Sequence, residues 1–378
     1  MTTITTTKCG AWILDDTYKK VQSGYWFYSA AGDPGELWAW GNNIWGQLGD
    51  NTITCRSSPV QIPGTTWNGI AGGSTHSLAR KSDGTLWAWG INQYGSLGDN
   101  TTILRSSPVQ VPGTQWNDIA GGNHSLARKS DGTLWSWGYN FSGNLGDNTT
   151  ISKSSPVQIP GTQWNDIASG SSHSLARKSD GTLWAWGANQ YIGYGRLGDN
   201  TTTCRSSPVQ VPGTQWNDIA TGFFHSLARK SDGTLWAWGN NSSGQLGDNT
   251  TTYRSSPVQV PGTQWNDIAG GEHSLARKSD GTLWAWGRNY YGQVGDNTRT
   301  ERSFPVQIPG TQWNDIGGGR DYSLARKSDG TLWSWGYNPW GQLGDNTKTY
   351  RSSPVQIPGT SWNDIASGGA QHSLARKA

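Results

Sequence analysis

Six histidines are the side chains in this chain best suited to hold a metal or move a proton. All six share one repeat position, His76, His124, His173, His225, His273 and His372, and Tyr322 stands at the seventh. A metal centre needs three or four ligands on one ion, whereas one imidazole per repeat spreads them around a ring. The expected role is a structural hydrogen bond near the start of a strand. The Asp-Asn-Thr runs, such as Asp99-Asn100-Thr101, lack the dense carboxylate set of a calcium site and suit Asx turns that close loops. Cys55 and Cys204 hold one loop position three repeats apart, and Cys9 stands outside the repeats. That spacing supports no disulfide framework. No serine sits in a nucleophile elbow or triad spacing, and the 53 glycines form no phosphate loop. These residues point away from an enzyme, and no cofactor or metal is expected.

The elements that position these residues are repeats. Leu-Trp-Ala/Ser-Trp-Gly begins at Leu37, Leu86, Leu134, Leu183, Leu235, Leu283 and Leu332, with spacings of 49, 48, 49, 52, 48 and 49. Trp-Asn-x-Ile and Ser-Leu-Ala-Arg-Lys each occur seven times. Within one unit, Trp116 to Ala120 predicts a strand (A) and His124 to Lys129 a second (B), turned by Ser130-Asp131-Gly132. Thr133 to Gly138 predicts a third strand (C). A polar loop then leads to a short fourth (D) around Pro156 to Ile159. Four short strands per unit with no helical period predict a propeller blade. The array starts at strand C, near Asp33, and ends after strand B, at Lys377-Ala378. The expected fold is therefore all-β: a closed seven-bladed propeller over residues 33–378, its last blade completed by two strands from each terminus, which leaves no open sheet edge.

Composition narrows the function classes. The 378 residues carry a net charge of +3, too little to argue for nucleic acid. No apolar run is long enough for a membrane-spanning helix, so no membrane insertion is expected. Met1-Thr2-Thr3-Ile4 does not open a signal peptide. There are 25 Trp beside 5 Phe. Twenty-one of the Trp are framework positions whose indoles should pack blade on blade, worth roughly 4–6 kcal/mol each before entropy. The four exceptions are Trp12, Trp26, Trp45 and Trp340.

The motifs Gly-x-x-His-Ser-Leu-Ala and Asp-Gly-Thr-Leu-Trp-Ala-Trp-Gly-x-Asn-x-x-Gly-Gln-Leu-Gly resemble the repeat of the regulator of chromosome condensation family. The resemblance covers about nine-tenths of the chain and implies a seven-bladed propeller. That family includes a nucleotide exchange factor for a small nuclear GTPase, a plant ultraviolet receptor and a bacterial β-lactamase inhibitor protein. In its near-identical repeats the chain is more similar to bacterial and phage arrays. The photoreceptor's Gly-Trp-Arg-His-Thr is absent.

Function should lie where the repeats differ. The B–C and D–A turns are nearly constant, Ser-Asp-Gly six times and Pro-Gly-Thr seven times. The A–B and C–D loops, at the opposite end of the ring, diverge. They are rich in Tyr, Trp, Phe, Ser and Asn, as in antibody-like binding surfaces. Trp45, Tyr94, Tyr290, Tyr291 and Trp340 are expected to form one aromatic arc, with Phe141 beside it. Tyr191, Ile192, Tyr194, Phe223 and Phe224 are expected to form a second cluster. Residues 1–32 do not repeat. Their Trp12, Leu14, Tyr18, Tyr25, Trp26 and Phe27 suit a segment that either caps the ring or docks it on another protein. The expected function is non-enzymatic recognition of a protein or cell-surface ligand, in a virion appendage or extracellular setting. The alternatives are an inhibitor of a secreted enzyme, a lectin, or a GTPase exchange factor.

Overall fold

The computed structural model describes residues 35–190, 194–369 and 371–377. The capping or docking segment, with Trp12, Leu14, Tyr18, Tyr25, Trp26 and Phe27, lies outside the described residues, as do Tyr191 and Ile192. Among the described residues 28 strands follow one another with no helix between them, so no helix there is long and apolar enough to cross a membrane.

Strands β3 (Trp67–Gly72), β4 (His76–Lys81), β5 (Leu86–Gly90) and β6 (Arg105–Val111) pair antiparallel in that order and form blade 1. Blades 2 to 6 repeat the pattern as far as β26 (Arg351–Ile357). Blade 7 is composite. Its order is β2-β1-β28-β27, where β1 (Glu36–Gly41) and β2 (Arg56–Ile62) supply strands C and D, and β27 (Trp362–Gly368) and β28 (His372–Lys377) supply A and B. Its two halves pair from Glu36↔Lys377 to Gly41↔His372, so the ring is closed by backbone hydrogen bonds between distant parts of the chain. Strands A of all seven blades line a central cavity of about 280 Å³.

The local chemistry explains the elements. In the B–C hairpin, the Asp83 carboxylate accepts from the Thr85 amide and hydroxyl at 2.9 and 2.7 Å, and Gly84 takes φ +78°. In strand C the side chains alternate between the two blade faces. Leu37 and Ala39 of blade 7 therefore meet Trp67, Trp89 and the half-buried Trp87 of blade 1 in one apolar cluster, and six similar clusters fill the other seams. Strand D is longer than expected, starting at Lys153 rather than near Pro156 in blade 2, because the pairing resumes after an irregularity with Lys153 opposite Gly138.

Each seam carries the same polar anchor. The Gln47 carbonyl in the C–D loop of blade 7 accepts both the Trp89 Nε1–H and the Ser77 hydroxyl of blade 1, at 3.0 and 2.7 Å. Equivalent Trp bonds of 2.8–3.0 Å recur at all seven seams. Gly49 of that loop lies against the Trp89 indole, where a Cβ would stand 2.6 Å from Nε1, so this position requires glycine. The histidines complete the belt. His76, His124, His173, His225, His273 and His372 each place Nε2 2.6–3.0 Å from a serine Oγ of the next blade. Since each of those serines donates its own proton to a loop carbonyl, the histidine is the donor and carries its proton on Nε2. Tyr322 takes the seventh place and donates to the His372 carbonyl.

Candidate recognition face

Each C–D loop is a rigid frame around a variable tip. In blade 1, Asn92 is fully buried. Its Oδ1 accepts the Leu97 amide, and its Nδ2 donates to Asp99 Oδ1 and the Thr101 carbonyl, at 2.9–3.0 Å. Asp99 also accepts from Thr101, and its second oxygen pairs with Arg105 at 3.1 Å. Asn100 adopts φ +62°, a conformation that Asn tolerates better than most residues. These are the Asx turns expected of the Asp-Asn-Thr runs. The Asp99 carboxyl lies below its ordinary range: burial acts to raise it and is outweighed by the hydrogen bonds from Thr101, Arg105 and Asn92. Across the seam, the Asn100 amide donates to Ser154 of blade 2 at 2.9 Å. Only the tip, Gln93-Tyr94 here, is left outside this framework.

The tip aromatics meet at seams. Tyr94 of blade 1 packs edge-on to Tyr139 and Phe141 of blade 2, with centroids 5.2 and 5.5 Å apart. Tyr194 of blade 3 packs on Tyr253 and Phe224 of blade 4, and Phe224 on Phe223. Tyr291 of blade 5 packs on its neighbour Tyr290 and on Tyr337 and Tyr350 of blade 6. Tyr194, Phe223 and Phe224 thus pack together as the second cluster, while the tyrosines of the arc pack within two separate seams. Trp45 and Trp340 have no ring partner among the described residues. Tyr194 is only 8% exposed and belongs to the seam rather than the surface. Tyr291, Trp340, Phe223 and Phe224 are half-buried, whereas Trp45, Tyr94, Phe141 and Tyr290 are exposed.

Two features escaped the sequence reading. The ring partners Tyr139, Tyr253, Tyr337 and Tyr350 lie outside the tips, just after strand C or just before strand D, and their contacts cross blades. The aliphatic side chains Ile53, Ile103 and Ile151 sit in the closing stretch of the loop and are all more than half exposed. Among the described residues eleven large apolar side chains are exposed, and the eight on blades 7, 1 and 2 are Ile44, Trp45, Ile53, Tyr94, Ile103, Leu104, Phe141 and Ile151. Two cavities flank Tyr94. One of about 260 Å³ reaches Tyr139, Ser96 and Asn123, and one of about 460 Å³ is lined by Phe141, Ile151 and Ser152. No lining residue of either is charged.

The A–B loops of blades 5 and 6, with Arg288 just after strand C of blade 5, carry a compact charge network. Arg320 lies 3.5 Å from Glu272 and 3.6 Å from Asp321, and Arg288 lies 3.7 Å from Asp321. Burial pushes the Glu272 and Asp321 carboxyls up, and the arginines pull them back. At the opposite end of the ring, each blade sandwiches a lysine between two indoles. Lys81, for example, lies 4.9 and 4.7 Å from the Trp67 and Trp87 rings. The described chain starts at this constant end, where the Gly35 carbonyl accepts the Trp67 amide.

Deeper in strands A and B, an Asp–Arg pair recurs in six blades at 2.8–3.8 Å. In blade 1, Gly69 stands opposite Arg80 instead. Burial, with neighbouring aspartates of the ring, pushes Asp166 and Asp267 up to about 7. Among the described residues no three His, Cys, Asp or Glu side chains come together as a metal site.

Comparison with known proteins follows the same lines. The RCC1-like domain profile matches residues 119–375, and the regulator of chromosome condensation (RCC1) repeat matches residues 34–80 and 83–127. No curated protein matches the chain in sequence. Among solved structures, Prp20p from Saccharomyces cerevisiae, described with its binding to Gsp1p and histones, superposes with a TM-score of 0.81 at 24% identity, over 92% of each chain. Human WBSCR16 gives 0.81 at 23%, over 91% of this chain and 98% of its own. Yeast RCC1 (Prp20) bound to Kap60 gives 0.79 at 22%, over 100% and 96%. These likenesses carry the fold, and the repeat match carries the descent: the chain belongs to the regulator of chromosome condensation repeat family.

Proposed function

We propose that this propeller is a non-enzymatic recognition module that binds a protein or cell-surface partner through its C–D loops, centred on blades 7, 1 and 2. The observation behind this reading is the concentration of exposed apolar side chains there, on loops whose frames are otherwise constant. Contiguous exposed apolar surface marks interaction sites, and aromatic side chains are over-represented among binding hot spots. The chain enters the ring at the constant end, so a particle holding that end would present the loops outward. A virion appendage contacting a host surface is the setting we propose, on the resemblance of the near-identical repeats to bacterial and phage arrays alone. Inhibition of a secreted enzyme would use the same loops. Exchange on a small GTPase is favoured by likeness of fold to Prp20p alone, and release of labelled GDP tests it.

The test pairs binding with stability. Trp45, Tyr94 and Phe141 are replaced together by Ser, and adsorption to host envelopes is measured beside the melting temperature. Losing one true hot-spot aromatic costs ~2 kcal/mol, roughly thirtyfold in affinity, while exposed tips should leave the melt almost unchanged. Replacing Lys81 and Asp83 on the constant face should leave adsorption intact. Undiminished adsorption in the triple variant refutes the reading.

A further inference from the structure

The three aromatic seams differ in several residues, and one difference coincides with a cavity. At the seam of blades 3 and 4, Tyr253 stacks on the tip residue Tyr194 at 5.0 Å and 83°. At the seam of blades 5 and 6, Tyr350 stacks on Tyr291 at 5.5 Å and 83°. The register is fixed by the backbone. The Asn200, Asn297 and Asn100 amides donate to Ser255, Ser352 and Ser154 respectively, and Tyr253, Tyr350 and Ser152 each stand two residues before that serine. Blade 2 therefore has Ser152 where the other two seams supply a tyrosine. The cavity of about 460 Å³ lies at this position, between Tyr94, Phe141, Ile151, Ser152 and Ser154. Phe141 leans on Tyr94 yet stays 58% exposed, as one wall of the opening.

We infer that the seam of blades 1 and 2 is a seat for an aromatic side chain with a polar tip, a tyrosine, presented by a protein partner. The chain itself shows which group fits, because its own tyrosine fills the equivalent place twice. An edge-on contact with Tyr94 suits the ring quadrupoles. The serine hydroxyls and the absence of charge in the lining suit a neutral phenol rather than an acidic or basic group. The inference rests on the recognition reading and names the chemistry of what is recognised.

The probe is 4-methylphenol, the tyrosine side chain alone, titrated against the full chain by saturation-transfer NMR, with methyl glucoside as comparator. Saturable binding to wild type is expected. Ser152→Tyr, which installs the tyrosine found at the other seams, should weaken it about tenfold or more while the melting temperature holds or rises. Phe141→Ser, an exposed wall, should also weaken it, so a misfolded first variant would not decide the matter. Equal binding in both variants, no saturable binding to wild type, or displacement by methyl glucoside would overturn the seat. So would binding that appears only after Tyr25, Trp26, Phe27 and Tyr28 are replaced by Ser, since the occupant would then be the chain's own segment. A chain that ignores the phenol but still loses adsorption on Trp45→Ser would refute the seat and keep the recognition face.

Discussion

The histidine belt should make this protein sensitive to mild acid, and one substitution isolates the effect. Burial holds His273 down to about 3, with a smaller contribution from His225, whereas an exposed histidine titrates near 6.5. Its Nδ1 is buried without a hydrogen-bond partner, and the Arg320 backbone, which favours the cation, is outweighed by the burial. The unfolded chain therefore takes up the proton first. Stability from this residue is full above the unfolded value and is lost as pH falls from about 6.5 toward the folded value. At about pH 5, 1.5 units below the unfolded value, the loss is about 2 kcal/mol per histidine, at roughly 1.4 kcal/mol per unit. The perturbation is His273→Tyr, because Tyr322 already occupies the same position in blade 6 and bonds across its seam. Urea unfolding of wild type and variant is compared at about pH 7.5 and about pH 5. Asp166 and Asp267, pushed up to about 7, act with the opposite sign, their contribution being lost as pH rises. They are common to both proteins and cancel in the comparison. Wild type should lose about 2 kcal/mol more than the variant between the two pH values. An identical loss in both would refute the account of a buried neutral imidazole.

Closure and the odd pair in the ring give two further expectations. Ending the chain at Asn363 removes β28 and most of β27, so blade 7 loses the strands that hold β1 and β2. Circular dichroism should then show the whole ring unfolding at a much lower temperature, and a parent-like melt would contradict closure. The stability change from Gly69→Asp in urea should be more favourable at about pH 5 than at about pH 7.5, because the new carboxyl would stand between Asp118 and Asp364, both held above their ordinary range by burial. The added Cβ meets only side-chain atoms of Arg80, the nearest at 3.3 Å, so an identical change at the two pH values would refute this expectation.

Strand order, blade number and the composite closure were legible because the repeat fixes them many times over. Leu-Trp-Ala-Trp-Gly can only alternate large and small side chains across a strand, and seven copies leave one consistent arrangement. The structural role of the histidines was legible for the same reason, since one imidazole per repeat cannot gather on an ion. The variable face was legible as a position in the repeat but not as a surface. Tyr94 and Tyr194 share one repeat position, yet one is exposed and the other buried. Tyr194 is packed on by Tyr253, Phe224 and Arg196, whereas the place equivalent to Tyr253 across the Tyr94 seam is Ser152.

The sequence by itself determined which residues repeat, hence the strands, the ring and the end of the ring that carries the differences. Periodicity constrains the backbone, and the backbone sets these. Only the tertiary structure decided which tip aromatics are spent on neighbours and which face water, because that depends on side chains brought together across a seam from about 59 residues apart, as Tyr194 and Tyr253 are. It also decided that Ile53, Ile103 and Ile151, outside the tips where the aromatic surface was expected, stand exposed on the same loops as Trp45, Tyr94 and Phe141. The physical reason is that burial belongs to the packed ring, whose seams join residues that no local pattern relates.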